Sequence, residues 1–584
     1  MQKIDSIDLI IFIFVLIVSI FIGLNKVVKE YYNKFAKKWC KVTNKVETEE
    51  ITKSRMSEYL NASSSMGMIP IALSLLASFF SATSLLGNPA EIYQYGMQYY
   101  ISVLGMIMAP AIGAFITGPM FSKLKVASVF EYLKLRFNSE EVRLIAVFCY
   151  LIRNLIGLSI FIYAPSTSLY LLASINSTVA IVIIGSVGTL YTTLGGIRAV
   201  IWTDVFQIIC MFSGLILISC KGIFDIGIKE LIQINSEGGR LNFFVFDSNP
   251  FIRQSFWSLS IGMFVYFLTF YCLDQQMVQR FAAAKNIRTA QNALLLNIPG
   301  IFLLITMCCL PGLIVFATYA NCDPISLPDS PIKTANQILP YYLIDKLSSI
   351  KGSIGIVLAA IFSGSLSSVS SALNSSAAII WGDFLKQFEY FKEFDDRKST
   401  ITTKVLVLIV GILSTFLAYM LSTFGGNLIQ MNFTLNGSFN APILGVFVLG
   451  CLFKCSNKIG AIVGLISGFS MGIWLSVGAY IFKPTYSKLG FLNECFNNTK
   501  VMNNFTLKNI ANNGEAINLS GFNKFYSISY MWFVVIGTLT TVFIGLVVSI
   551  LTGGNKLKLD DSYYVLTFLK RQRKKNDALE LEYF

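Results

Sequence analysis

The chain contains no histidine. That removes imidazole-centred triads, His-ligated zinc and imidazole proton relays in one step. Charge is scarce too: 13% of the 584 residues are Asp, Glu, Lys or Arg, about half the share of a soluble globular domain. The 11 cysteines include no C-x-x-C pair, and most stand inside apolar stretches, so no thiolate metal cluster or redox dithiol is written here. Cys322 and Cys495 fall in outer loops, where a disulfide between them is open, but spacing alone does not fix connectivity. The signature of a cleavable leader is also missing. Asp5 and Asp8 stand where a signal peptide carries positive charge, so residues 9–24 read as a retained first span.

What is abundant is apolar sequence. Hydrophobic residues make up 54% of the chain and the mean hydropathy is +0.64, which describes a polytopic, all-α membrane protein. Apolar windows recur as thirteen candidate spans, with the N-terminus outside and the C-terminus inside. The formal net charge of +14 is a topology signal and not a nucleic-acid surface, because roughly two thirds of the Lys and Arg fall in inner segments. The densest basic clusters, at 26–55 and 570–575, suit anionic lipid. The glycosylation patterns at Asn497, Asn504 and Asn518 share one loop between the last two spans, which they place outside. The tail, with its terminal Glu-Tyr-Phe, is a candidate scaffold-protein ligand. No nucleophile, base and orienting group occur together, so the chain does not read as an enzyme.

Residues 361–376, IFSGSLSSVSSALNSS, place six serines within nine residues of a span that must otherwise satisfy lipid. Serine can donate back to the carbonyl one turn earlier, so the run does not forbid a transmembrane helix. On that helix the Gly364 carbonyl points toward Ser367 and Ser368, and three hard oxygens converge. Two readings stand for the run: close helix packing, or half of a small-cation site completed by another element. A candidate for the other half is the second span, about 69–93, whose centre LASFFSATSLLGNP is interrupted by small and polar residues. It either unwinds at mid-depth and exposes carbonyls or stays continuous through back-bonding.

Other polar residues inside spans draw notice. Arg153 in the fourth span either faces a partner and a cavity or snorkels to the inner interface, and snorkelling is the preferred reading. Asp204 near the start of the sixth span is either a helix cap or part of a cation exit route. The seventh span, about 256–277, carries Tyr266 and Phe270. In the eleventh, Asn432, Asn436 and Asn440 repeat every four residues and so share one face, as a cavity wall or an interhelical hydrogen-bonding strip.

Several strings together resemble the sodium:solute symporter family, in its branch of iodide, multivitamin and monocarboxylate transporters. The most specific is YTTLGGIRAVIWTDVFQ at 191–207; others are NPAEIYQYG, VFEYLKLRFN, GGRLNFFVF, QQMVQRFAAAK, SGSLSSVSSALNS and FYSISYMWFVVIGTLTTV. The resemblance implies a LeuT-like fold of two inverted five-helix repeats, with segments 1–66, 67–226 (first repeat), 227–453 (outer loop and second repeat), 454–551 and a tail at 552–584. It implies a sodium site built from the carbonyls of Ala77, Phe80 and Gly364 and the hydroxyls of Ser367 and Ser368. Asp204 would line the sodium exit; Ser371 and Asn374, farther along the serine-rich helix, are read as stabilising that exit path or as part of a second ion site. Phe79, Ser84, Ser102, Val103, Met106, Tyr266, Phe270, Asn436 and Asn440 correspond to the family's substrate cavity. Where the iodide member has glutamines this chain has Ser84 and Met106, which argues against iodide. The asparagines depart from the branch's apolar residues and glycine and argue against a simple short monocarboxylate, while GGRLNFFVF and NCDP lean toward the monocarboxylate members.

The expectation is a plasma-membrane symporter that needs no cofactor and couples sodium entry to uptake of a small organic anion by alternating access. A sodium-driven sugar or inositol carrier, and a non-transporting channel or sensor, are the alternatives.

Overall fold

The computed structural model describes residues 5–39, 59, 62–124, 128–173, 175–327, 330–332, 334–423, 427–484, 486–492, 521–554 and 563–565. The three glycosylation patterns and Cys495 lie outside the described residues. Cys322 is disulfide-bonded.

Among the described residues the regular structure is helical. Ten helices are individually long and apolar enough to cross a membrane, and a bent pair makes an eleventh. The helices that position the site are α1 (Ser6–Trp39), α2 (Met68–Phe79), α3 (Ala82–Tyr95), α4 (Ser102–Ile112), α5 (Val129–Phe137), α6 (Glu140–Ala173), α7 (Ser177–Ile226), α8 (Ile228–Glu237), α9 (Met263–Leu273), α10 (Gln275–Ala283), α11 (Ile287–Tyr319), α12 (Ser353–Ile379), α13 (Asp396–Ser422), α14 (Leu428–Leu452), α15 (Lys458–Phe482) and α16 (Phe533–Leu551).

The serine-rich helix α12 is the axis of the bundle, buried along its whole length and packed on α7, α6, α1 and α13. Its serines are satisfied without water. Ser370 donates to the Ser367 carbonyl at 3.0 Å and Ser376 to Ala372 at 2.8 Å, while Ser365 reaches across to Phe161 of α6 at 2.5 Å. Such bonds let a polar stretch sit in an apolar interior.

Two breaks interrupt helices beside this axis. The second predicted span is not continuous: α2 and α3 meet at an angle of 57°. Phe80 is extended (φ −97°, ψ 104°), and Ser81 caps α3 by accepting from Thr83 N–H at 3.2 Å. The ladder of α2 ends with Phe80 N–H on the Leu76 carbonyl, and that of α3 begins with Leu85 N–H on Ser81. The carbonyls of residues 77–80 therefore belong to neither run. A glycine opposite lets the chains approach closely: a Cβ on Gly364 would stand 3.1 Å from Ala82 N and from Ser81 C, a tight contact.

The second break falls at Asp274 (φ −81°, ψ 133°), which ends α9 and caps α10 by accepting from Gln276 N–H at 2.9 Å. The seventh predicted span, read as continuous to about residue 277, is thus split three residues early. The long helix α7 also changes direction, at Gly196 (φ +66°), where a Cβ would lie 2.7 Å from the Tyr59 ring. Asp204 is eight residues beyond that turn, past the reach of an N-cap, so the capping reading is wrong.

Candidate functional site

At the α2–α3 break, Ser368 Oγ donates to the Gly364 carbonyl at 3.1 Å and lies 3.3 Å from the Ser78 carbonyl. This joins α12 to the last turn of α2, next to the carbonyls of Ala77 and Phe80. Ser367 turns the other way and donates to Asp204 Oδ1 at 2.6 Å. The five residues expected to hold sodium therefore flank one break, with Ser367 committed to its neighbour Asp204.

Asp204 is the centre of a second, fully buried cluster. Its Oδ2 accepts from Ser74 at 2.6 Å, from Ser78 at 3.4 Å and from Arg280 Nη2 at 3.0 Å. Arg280 comes from α10, and its guanidinium also reaches Ser74 at 2.8 Å, Ser371 at 2.6 Å, Ser78, and the Gln276 carbonyl at 3.1 Å. Ser371 and Ser78 lie 2.8 Å apart. One arginine thus ties α2, α7, α10 and α12 together. With Arg280 1% and Asp204 0% exposed, each is the other's charge compensation. Asn374, one turn along α12 from Ser371, is buried with neither side-chain atom paired.

Beside the break is a cavity with about 50 Å³ open to the centre of a water-sized sphere. Of the residues expected to line it, Phe79, Ser84, Met106, Tyr266, Phe270 and Asn436 do so, and Asn432 joins them. Ser102, Val103 and Asn440 do not; Ser102 is fully buried with its hydroxyl unpaired, and Asn440 lacks a partner for Nδ2. The three asparagines share a helix face, as their spacing requires, but only the two nearer the start of α14 reach the cavity. Asn436 donates to Asn432 at 2.6 Å and keeps its own Oδ1 unpaired.

Arg153 also lines this cavity, as the only charged side chain among the described residues that do. It does not snorkel. It is 4% exposed, its Nη1 bonds Asp274 Oδ2 at 2.6 Å and Asn154 at 2.8 Å, and its guanidinium carbon lies 5.2 Å from the Phe270 ring centroid. Tyr150 completes Asp274 by donating at 2.9 Å. Nε of Arg153 is buried with no partner. Sequence reasoning weighed Arg153 alone because its acid is 121 residues away. The available signal was Asp274 itself, an acid at a span end immediately before a helix restart at Gln275. Arg280 was missed for a similar reason, counted as an inner-loop charge just past a span.

At the end of the bundle where α3 stops and α14 starts stands a third buried ion pair. Glu91 accepts from Arg253 at 2.7 and 3.1 Å, from Gln254 at 2.5 Å and from Asn427 at 3.2 Å. Arg253 in turn donates to Gln430 at 2.8 Å and sits against the rings of Tyr95 and Tyr530.

The family model described as "Sodium:solute symporter family" matches residues 59–468. The chain belongs to that family. This symporter is 33% identical over 517 residues to sodium-coupled monocarboxylate transporter 1 of Homo sapiens, covering 87% of this chain and 84% of that protein. It is 33% identical to the sodium-dependent multivitamin transporter of Oryctolagus cuniculus (86% and 78% covered) and 32% identical to the human sodium/iodide cotransporter (84% and 78%). A solved Na⁺-coupled sialic acid symporter, substrate-bound and outward-open, superposes with a TM-score of 0.73 over 95% of this chain and all of its own, at 21% identity. That likeness shows the fold, which is the LeuT-like one. The family and these relatives are transporters, not enzymes.

Proposed function

We propose that this symporter imports a small organic carboxylate together with sodium, holding the carboxylate at Arg153. The observation that carries the reading is the single guanidinium on the cavity wall, with one nitrogen unpaired and Asp274 already balancing its charge. An arginine on a cavity wall whose charge is already balanced and whose Nε has no partner fits a carboxylate. Phe79, Tyr266 and Phe270 would enclose the apolar part of the substrate, and Asn432 and Asn436 would meet its polar groups.

Sodium would bind the carbonyls of Ala77, Phe80 and Gly364 and the hydroxyls of Ser367 and Ser368, with Asp204 and Ser371 on its way out. The charges support coupling: the Arg153–Asp274 pair is neutral, an entering anion adds one negative charge, and a sodium ion beside it restores balance. Sodium at the break would favour the outward-open form. Each charge moved inward down the membrane potential contributes about 2.3 kcal/mol per 100 mV.

The topology we infer has thirteen spans in two inverted repeats, N-terminus outside, in the plasma membrane, with a glycosylated outer loop. The 50 residues of α7 would measure about 75 Å if straight, against a hydrocarbon core of about 30 Å. Its two arms at Gly196 therefore make two crossings, and the short apolar helix at Ser258–Leu273 supplies another.

A sugar or inositol carrier is the second reading, favoured by the Asn432–Asn436 pair. Labelled uptake with and without sodium, over lactate, nicotinate, biotin, iodide, glucose and inositol, separates the two. Sodium-dependent uptake confined to the neutral polyols would overturn the carboxylate reading.

A further inference from the structure

The two arginine clusters are joined by one short helix. Asp274 caps the first turn of α10 and at the same time holds Arg153 at the cavity wall. Arg280, six residues later on the same helix and so about 9 Å along its axis, holds the Asp204 cluster beside the sodium residues. The helix between them has 9 residues. Gln276, in its first turn, lines the cavity and holds Arg280 Nη1 with its carbonyl. The cap leaves the backbone of Asp274 extended, so α10 is joined to α9 by a break and not by a continuous ladder.

From this arrangement we propose that Asp274 is a positioning residue that couples substrate charge to sodium release. A carboxylate arriving at Arg153 competes with Asp274 for the guanidinium. Once Arg153 is shared, Asp274 holds α10 to α6 less tightly, and α10 changes its tilt at the Asp274 break. The same movement withdraws Arg280 from Asp204, Ser78 and Ser371 and opens the inner path from the sodium residues. With no anion in the cavity, the Arg153–Asp274 bond keeps α10 docked and the path shut, so sodium does not pass alone. The cost of parting two buried pairs is large, and the substrate carboxylate and the sodium ion offset it by supplying replacement charges at the two ends.

This inference rests on the carboxylate reading of the cavity, and the test separates the two. Purified wild-type, Arg153→Gln and Asp274→Asn proteins in nanodiscs are given lactate, nicotinate or biotin in sodium, each beside its primary amide. Binding is measured together with amide hydrogen exchange of residues 275–283. In the wild type a carboxylate raises α10 exchange and its amide does not. Arg153→Gln loses carboxylate binding. Asp274→Asn keeps the α10 cap, since asparagine accepts as aspartate does, but leaves Arg153 without its acid. It binds the carboxylate roughly tenfold more tightly, while α10 exchange no longer responds and maximal uptake falls.

If the three carboxylates bind no better than their amides, or bind Arg153→Gln as they bind wild type, the carboxylate reading fails and takes the coupling with it. If Arg153→Gln loses binding but α10 of Asp274→Asn still responds as in wild type, the coupling alone is overturned. Should Asp274→Asn not fold, the wild-type carboxylate and amide comparison decides: equal exchange of α10 with both would sink the proposal.

Discussion

Replacing Asp204 by asparagine strands the Arg280 guanidinium in a site where it is 1% exposed. The pair is 3.0 Å apart, which at an effective dielectric of 20 is an attraction of about 5 kcal/mol. Losing one partner of such a buried pair costs about 3–5 kcal/mol. The two single changes are not equivalent. Arg280→Gln leaves Asp204 with the hydroxyls of Ser74, Ser78 and Ser367 still donating to it, so its loss falls at the lower end of that range. Asp204→Asn leaves a cation facing neutral oxygens only, and falls at the upper end. The double variant carries no buried charge and is more stable than Asp204→Asn alone, so the coupling energy is at least the Arg280→Gln loss, about 3 kcal/mol. The assay is unfolding of the four purified proteins under one set of lipid conditions, with helix content followed by circular dichroism. Additive losses in the double variant would show that the two charges do not depend on each other and would refute the reasoning.

At the α2–α3 break, Ser368→Ala removes one of five proposed sodium oxygens, and the sodium concentration for half-maximal uptake rises roughly 10–100-fold at unchanged surface expression; wild-type sodium activation would remove Ser368 from the site. Arg153→Lys keeps the charge but gives up the fork that holds Asp274 and Asn154 together, so KM for the transported carboxylate rises roughly tenfold, measured by labelled uptake at saturating sodium. At the other end of the bundle, Glu91→Gln leaves Arg253 uncompensated among Gln430, Tyr95 and Tyr530. Hydrogen exchange at residues 427–431 then rises, because Asn427 loses a charged acceptor at 3.2 Å; unaltered exchange there would mean that Glu91 does not hold the start of α14.

The apolar spans and the serine-rich axis were legible because lipid imposes length and composition on every crossing. A break in the second span was one of two readings open from its polar centre, and its place at Phe80–Ser81 was not. Gly364 and Ser368 could be grouped because helix geometry relates residues four apart, whereas Ser367, expected beside them, turns to Asp204. Arg153 with Asp274, and Asp204 with Arg280, could not be paired in this way: their partners are 121 and 76 residues distant, and no local period connects them. A lone intramembrane arginine then reads as snorkelling, the cheapest solution open to a single charge. Asn440 shows the opposite error, because a shared helix face says which way a residue points but not how far a cavity extends along it.

These pairs also explain why a chain so poor in charge places acids and arginines where they cost most. An isolated ion in the membrane interior is expensive, and a buried pair is no stronger than well-packed apolar residues. One pair has an arm on α10 and another on its N-cap, and the third fixes the end of α3 near Tyr95, so all three attach to pieces of discontinuous helices. Apolar packing holds such pieces equally well with or without an ion nearby. A charge pair responds when a further charge arrives, because that charge changes the compensation of both partners. Helix fragments held by ion pairs can therefore respond to a co-transported ion and, on the reading proposed above, to a carboxylate. The same fragments held by leucines would be more stable and would sense neither.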